Sequence, residues 1–310
     1  MLFQDVFKEF INTKKTLLKQ NTIDLYERIY RLHFLFFKDM DVDSFTPKTI
    51  DDWIFQLRLD NKNKQRENFD HELCLLKNIV NFYNEFFDGS IEVFKKRHAL
   101  KSKLKLKTKK QNKEFKETEF LKFSNKLALL YGQEAEMLAI LQYYEALRIS
   151  EAVAIHYQDI HLNYDNPYLS YITINKSVVF THSSTKKSYL QEGFKNGMLK
   201  TLPLMPEVFI YLRNRIEKYK DQFLFIENGI PEFSKIQRMY NRAFQLSDLP
   251  YRSTHILRHG GCSRIFNFSG GNVLIASQLL GNSTKETLKT YAHVYQNTLQ
   301  NFSSTLYDIK

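Results

Sequence analysis

The feature that most constrains this chain is a run of positive charge that follows its first hundred residues. Residues 95–116 contain eleven lysines and arginines against one acid, Glu114, and between 101 and 107 the lysines alternate with serine or leucine. This alternation disfavours a helix with one apolar face and favours an extended segment. Apolar patterns typical of folded protein lie on both sides. We therefore expect domains at 1–100 and 114–310, joined by a basic linker at 101–113.

The first hundred residues carry helical periodicity. Helices are predicted at 23–37, from Pro47 onward and at 67–88. The first of them is expected to bury Leu25, Ile29 and Leu32, and the second to bury Trp53. These patterns predict a small helical bundle with no catalytic constellation of its own.

The remainder of the chain mixes helical and strand patterns. Residues 168–175 alternate apolar and polar side chains as a half-buried strand does, and the return strand is expected at 198–204. Helices are predicted at 117–131, 134–144, 150–156, 206–218, 232–246, 254–267 and 273–280. The expected fold class is therefore mainly α with a small β-sheet.

Charge and cysteine content restrict the class of function. A formal net charge of +11 and a pI near 9.3 indicate a polyanionic partner, because clustered lysine and arginine neutralise phosphates. Cys74 and Cys262 are far apart and lack metal-ligand spacing, which favours a reduced, intracellular setting. The N-terminus lacks the apolar run of a signal peptide, and no stretch approaches the ~20 apolar residues of a membrane helix. We expect a soluble, cytoplasmic protein without cofactor or metal and with no membrane partner.

Short segments of the second half suit one kind of chemistry, the cutting of a DNA phosphodiester without a metal. That reaction needs a nucleophile, cations that hold the non-bridging phosphate oxygens, and an acid for the leaving 5′-oxygen. Arg148 lies in Ala-Leu-Arg-Ile-Ser-Glu, and His255 and Arg258 lie three apart in His-x-x-Arg-His, on one side of a helix. Arginine suits the second task, since its planar fork grips two phosphate oxygens and keeps its charge.

In order and spacing these segments resemble the tyrosine recombinases, the phage integrases and Xer proteins. The resemblance implies that Arg148 and Arg258 clamp the phosphate and that His255 assists proton transfer from the nucleophile. It places the general acid at Lys195, beside the Asn196-Gly197 hairpin signal.

The same resemblance identifies the nucleophile by register. Tyr291 lies nine residues after Asn282, and Tyr295 is the competing tyrosine. Asn282 departs from the pattern, since the family usually has histidine or tryptophan there. A carboxamide can donate a hydrogen bond but cannot shuttle a proton near neutral pH, so the site is either active with an altered donor or impaired.

Other lysines compete with the predicted general acid or are expected to contact DNA. Lys176, Lys186 and Lys187 are the competitors for the acid. The lysines expected to contact the DNA backbone are Lys101, Lys103, Lys105, Lys107, Lys109, Lys110 and Lys200.

Two adjacent glycines, Gly260 and Gly261, stand inside the helix predicted at 254–267. Each costs about 0.5–1 kcal/mol relative to alanine in a helix, so close approach of a neighbouring element is the expected reason for them.

By resemblance, the first domain is a helical, SAM-like core-binding domain and the second an α+β catalytic domain, together forming a C-shaped clamp on duplex DNA. Four protomers would exchange strands through a Holliday junction at paired half-sites, with the tail at 294–310 docking into a neighbour. The expected function is site-specific recombination. Xer-type resolution of chromosome dimers is the favoured role, including systems that use a single recombinase, and a DNA translocase is the expected activator. The alternatives are a mobile-element integrase, a cleavage-impaired DNA-binding homologue and a type IB topoisomerase.

Overall fold

The chain forms two compact units, Met1–Gln111 and Asn112–Lys310. The computed structural model describes residues 1–18, 20–60, 68–101, 115–181, 187–193, 200–226, 229–250, 253–281, 283–285 and 287–288. Each unit has its own apolar core.

The described part of the first unit is mainly helical. Its α-helices are α1 (Phe3–Lys15), α2 (Gln20–Ile29), α3 (Pro47–Asp60), α4 (Asp70–Phe86) and α5 (Lys96–Lys101). The predicted helix start at Pro47 is confirmed, and so is the burial of Trp53. The Trp53 indole nitrogen donates a hydrogen bond to the His33 carbonyl at 2.8 Å, which joins α3 to the segment after α2.

The prediction of one continuous helix over 23–37 is wrong. Helix α2 ends at Ile29, and the chain continues as a π-helical turn over Tyr30–Phe34 and a 3-10 turn over Leu35–Phe37. A π turn inserts an extra residue and so rotates the face that follows it. Phe34 and Phe37 are thereby buried with Ile29, whereas the predicted core residues Leu25 and Leu32 are exposed.

The second unit combines helices with short antiparallel strands. Its helices are α6 (Glu117–Tyr131), α7 (Gln133–Tyr144), α8 (Ile149–Val153), α9 (Pro206–Leu212), α10 (Phe233–Leu246), α11 (His255–Phe268) and α12 (Val273–Leu280). Its strands are β1 (Ile160–His161), β2 (Tyr171–Ile174), β3 (Lys176–Val179), β4 (Tyr189–Glu192) and β5 (Lys200–Pro203). The mainly helical fold class with a small sheet, predicted from the sequence, is confirmed.

The strands form two small sheets. One has the order β1-β2-β5, and the other pairs β3 with β4, all antiparallel. The predicted strand at 168–175 is shorter than expected, and β5 returns against it with Ile174 opposite Lys200. The helix predicted at 206–218 is also shorter, since α9 ends at Leu212 and a 3-10 turn covers Ile216–Tyr219.

Helix α7 lies at the centre of the second unit and is buried on every side along most of its length. It packs against α6, α9 and α11, so the turn that follows α7 is held from several directions. That turn leads directly to Arg148. No helix among the described residues is both long and apolar enough to cross a membrane.

Candidate active site

The loop that carries Arg148 is a tight turn between α7 and α8. Ala146 has φ +50°, a left-handed conformation that costs a residue with a Cβ roughly 1–2 kcal/mol. Leu147 is fully buried and anchors the turn. Arg148 then takes an extended conformation at the N-cap of α8, so the helix begins one residue before the predicted start at Ser150. Its side chain remains 42% exposed, which leaves the guanidinium accessible.

Glu151 is the buried carboxylate that organises this loop. It accepts hydrogen bonds from the Arg148 backbone nitrogen at 2.8 Å and from Arg148 Nη1 at 2.7 Å. Its other partner is Arg258, whose Nη1 lies 3.7 Å from Glu151 Oε2. Burial acts to raise the pKa of Glu151, but the charges of Arg148 and Arg258 and the hydrogen bonds from Arg148 bring it below its usual value. Glu151 is therefore ionised and holds both arginines at one point.

Arg258 is buried on α11 and is held by the protein itself. Its guanidinium donates a hydrogen bond to the Ala146 carbonyl, and Nη2 donates another to the Leu280 carbonyl at 3.0 Å. These bonds connect the turn after α7 to the end of α12. The structure thus brings together Arg148 and Arg258, which the sequence places 110 residues apart.

The glycine pair of α11 lets this helix approach α7 closely. A Cβ on Gly261 would stand 1.9 Å from the Tyr143 carbonyl oxygen, and one on Gly260 would stand 2.7 Å from the Phe115 carbonyl oxygen. No Cβ can occupy either place without displacing backbone. The close approach expected from the sequence is present, and it fixes the distance between the Arg258 helix and the Arg148 turn.

Lys200, predicted as a contact to the DNA backbone, lies within this same cluster. Its Cδ, Cε and Nζ atoms are 3.5–3.6 Å from the place that a Cβ on Gly281 would occupy, at the C-cap of α12. Burial and the nearby charges of Arg258 and Arg148 lower the pKa of Lys200 to about 8, although Glu151 opposes the shift.

His255 and His259 occupy the first turns of α11, and their rings lie 5.0 Å apart, edge to face. Burial, followed by the charges of His259, Arg258 and Arg148, lowers the pKa of His255 to about 4. Burial and Arg258 also lower the pKa of His259. Both imidazoles are therefore neutral at pH 7, and a neutral imidazole has a nitrogen that can accept a proton.

Glu145 is a buried carboxyl group in the turn that the sequence prediction missed. Its Oε1 accepts a hydrogen bond from the Met205 backbone nitrogen at 2.8 Å, which joins the turn after α7 to the start of α9. Burial raises its pKa to about 8, against the opposing effects of that hydrogen bond and of the Lys200 charge. The sequence does carry a sign of this burial, because Glu145 stands among apolar residues in Tyr-Tyr-Glu-Ala-Leu, where a solvent-exposed surface is not expected.

Several predicted site residues lie outside the described residues. These are Lys195, Asn282 and Tyr291, the competitors Lys186 and Tyr295, and the linker lysines Lys103, Lys105, Lys107, Lys109 and Lys110. Lys101 is the last residue of α5. Their roles remain predictions.

Lys176, a competitor for the general acid, is engaged elsewhere. Its Nζ lies 2.9 Å from Asp159 Oδ2 and over the Phe223 ring, in a largely buried ion pair. This contact is structural, since it joins β3 to the turn before β1. Within the described ranges no group of His, Cys, Asp and Glu side chains has the geometry to hold a metal ion.

Comparison with known families matches most of the chain. Residues 113–298 match the phage integrase family, and residues 2–58 match the N-terminal SAM-like domain of phage integrases. A tyrosine recombinase XerC from Treponema denticola is 22% identical over 301 residues, covering 92% of both chains. The integrase of Haemophilus phage HP1 is 28% identical over 125 residues, which are 40% of this chain and 30% of that protein.

Solved structures share the fold. The Tn1549 transposon integrase in complex with transposon right end DNA has a TM-score of 0.74 at 19% identity, covering 99% of this chain and 100% of that one. The XerH site-specific recombinase bound to palindromic difH substrate has a TM-score of 0.65 at 12% identity, covering 97% and 95%.

Proposed function

Because the chain belongs to the phage integrase family, whose tyrosine recombinases cleave and rejoin DNA strands, we propose that it recombines DNA site-specifically through a 3′-phosphotyrosyl intermediate. The observation that carries this proposal is the convergence of Arg148 and Arg258 on the ionised carboxylate of Glu151. Two guanidinium groups fixed at one point can hold a phosphate from two sides as charge develops in the transition state.

The proposed reaction assigns one task to each predicted residue. Tyr291 attacks phosphorus through its phenolic oxygen, and the phosphorus–5′-oxygen bond breaks as the phosphorus–tyrosine bond forms. Neutral His255 assists removal of the phenolic proton, and Lys195 protonates the leaving oxygen. Asn282 donates a hydrogen bond to the phosphate. The phosphotyrosyl ester conserves the bond energy, so a second strand's hydroxyl can reverse the step.

Xer-type resolution of chromosome dimers is the favoured biological role. Its support is the Treponema denticola XerC similarity, which extends over 92% of each chain and so includes both domains. Such a system would act as a homotetramer on paired half-sites, with a translocase as an activator and the tail at 294–310 joining neighbours. Integration of a mobile element is the second candidate, supported by the fold shared with the Tn1549 integrase.

A trapped covalent intermediate tests the cleavage proposal. Incubation with nicked suicide DNA that carries the recombination site should give wild-type protein attached to DNA after denaturation. Tyr291→Phe should give no such adduct, while the matched variant Tyr295→Phe should retain it. An adduct that persists in Tyr291→Phe would move the nucleophile elsewhere, and absence of adduct in the wild type would contradict the function itself.

Recombination products distinguish the two biological roles. A plasmid with two directly repeated host sites should be resolved into two circles by a dimer-resolving recombinase. An integrase should instead join a circular element to its target. Relaxation of supercoiled DNA without recombinants would favour a topoisomerase.

A further inference from the structure

The position of Lys200 is unlike that of a lysine on the outer surface of a DNA-binding face. It is the first residue of β5, opposite Ile174 of β2, and its side chain extends to Gly281 at the C-cap of α12. The preceding residue, Leu280, supplies the carbonyl that accepts a hydrogen bond from Arg258. Lys200 and Arg258 therefore reach the same helix end, Arg258 from α11 and Lys200 from the sheet.

The charges around Lys200 are mostly positive. Arg148 and Arg258 both act on its ammonium group, and Glu151 is the carboxylate that opposes them. Three cations around one ionised carboxylate leave an excess of two positive charges. Glu145 does not cancel this excess at pH 7, because its pKa of about 8 keeps it mostly protonated.

Among the described residues, the Lys200 amine makes no hydrogen bond and no ion pair within 4.0 Å, although it is partly buried. The positive charges of Arg148 and Arg258 act unfavourably on the Lys200 ammonium, and an anion placed between the three groups would convert this repulsion into attraction. A phosphodiester held by Arg148 and Arg258 would be that anion.

We propose that Lys200 is a catalytic residue, a third cation that contacts a non-bridging oxygen of the scissile phosphate together with Arg148 and Arg258. This inference rests on the proposed function. It replaces the expectation that Lys200 only neutralises the duplex backbone. Lys200 keeps its proton throughout the step and stabilises the charge that builds on phosphorus oxygens, while the leaving oxygen is protonated by another group.

Removal of the phosphate charge tests this role. Single-turnover adduct formation is measured at saturating DNA, on suicide DNA with either a normal scissile phosphodiester or an uncharged methylphosphonate in its place. Lys200→Met should slow cleavage of the diester by about 10²–10³-fold. On the methylphosphonate, which has one negative charge fewer, the same variant should lose less than about tenfold, because the missing cation has less charge to stabilise.

Two further variants make the comparison specific. Lys200→Arg restores the charge and should recover most of the diester rate. Lys122→Met removes an exposed lysine of α6 that has no predicted role in the site and should leave the rate on both substrates unchanged. Thermal melting checks that the variants fold, and Lys200→Gln serves in place of Lys200→Met if that variant does not.

Each contrary result has a distinct meaning. Equal losses of rate on diester and methylphosphonate would overturn the proposal. So would a loss of rate seen only below saturating DNA, because that would be a defect in DNA binding. Rescue of Lys200→Met on a 5′-bridging phosphorothiolate, whose sulfur leaves without protonation, would also overturn it by making Lys200 the proton donor. If the wild type forms no adduct on the diester, the proposed function fails instead.

Discussion

Replacement of Gly261 by alanine should disrupt the active site from a position outside it. The added Cβ would stand 1.9 Å from the Tyr143 carbonyl oxygen, whereas real Cβ atoms essentially never approach within 3.0 Å. Helix α11 must therefore move away from α7 by about 1 Å or more. Because Arg258 is on α11 and its acceptor Ala146 follows α7, that movement separates the two arginines.

Two opposing effects set the change in the free energy of unfolding of Gly261→Ala. Overpacking a close contact costs about 1–3 kcal/mol or more, and alanine regains only about 0.5–1 kcal/mol over glycine through helix propensity. We expect Gly261→Ala to lower the free energy of unfolding by about 2 kcal/mol. A misplacement of about 1 Å at a catalytic group can cost about 10²-fold in rate, so adduct formation on suicide DNA should fall by that order.

The assay pairs urea denaturation with single-turnover adduct formation. The only tryptophan, Trp53, belongs to the first unit, so its fluorescence follows that unit while circular dichroism at 222 nm follows both. Asn267→Ala, at an exposed position of the same helix, is the matched control and should preserve stability and rate. Wild-type stability and adduct rate in Gly261→Ala would refute the reasoning that helix spacing positions Arg258.

Two other predictions follow from the buried charges. Glu145→Gln should become more stable relative to wild type as the pH rises from 4.5 to 8. Because the pKa of Glu145 in the folded protein is raised to about 8, the protonated carboxyl contributes its full stability below its usual pKa of 4.5. That contribution to the free energy of unfolding is lost as the pH passes 8. At about 1.36 kcal/mol per pKa unit the gap should reach about 5 kcal/mol at most, measured by urea titration across this range, and a constant gap would contradict burial of an ionisable Glu145. Arg258→Lys should lower both stability and cleavage, because it leaves the buried Ala146 and Leu280 carbonyls without their hydrogen-bond donor, at a cost of about 1–3 kcal/mol each. Arg148→Lys should lower cleavage alone. Equal melting temperatures of the two variants would contradict this prediction.

Local patterns predicted the helices well where one face is buried. Helix α6 begins and ends at the predicted residues, and α3 buries the expected Trp53, because periodic apolar spacing is a property of the segment itself. The prediction failed at 23–37, where the π turn moves Phe34 and Phe37 into the core. That choice depends on packing against the aromatic rings of α1 and α3, among them Phe3 and Trp53, which a single segment does not encode.

The site was predictable as a set of residues, but its internal arrangement was not. Sequence resemblance selected Arg148 and Arg258, yet the shared carboxylate of Glu151 depends on two helices meeting in space. Lys200 was expected on the DNA backbone, and only the pairing of β5 with β2 brings it to Gly281. Glu145 was missed because its burial follows from the packing of α7 and α9 around it.

Retention of Arg258 and retention of Arg148 in a related protein carry different information about whether that protein still cuts DNA. Arg258 joins the α7–α8 turn to α12 through two carbonyls, so a descendant that no longer cut DNA would still need it to keep its fold. Arg148 has a partly exposed guanidinium, so such a descendant could replace it with lysine, whose ammonium keeps a positive charge beside buried Glu151. In comparing relatives, an intact Arg258 is therefore weak evidence of a working enzyme. Retention of Arg148 is the better mark of selection for cleavage.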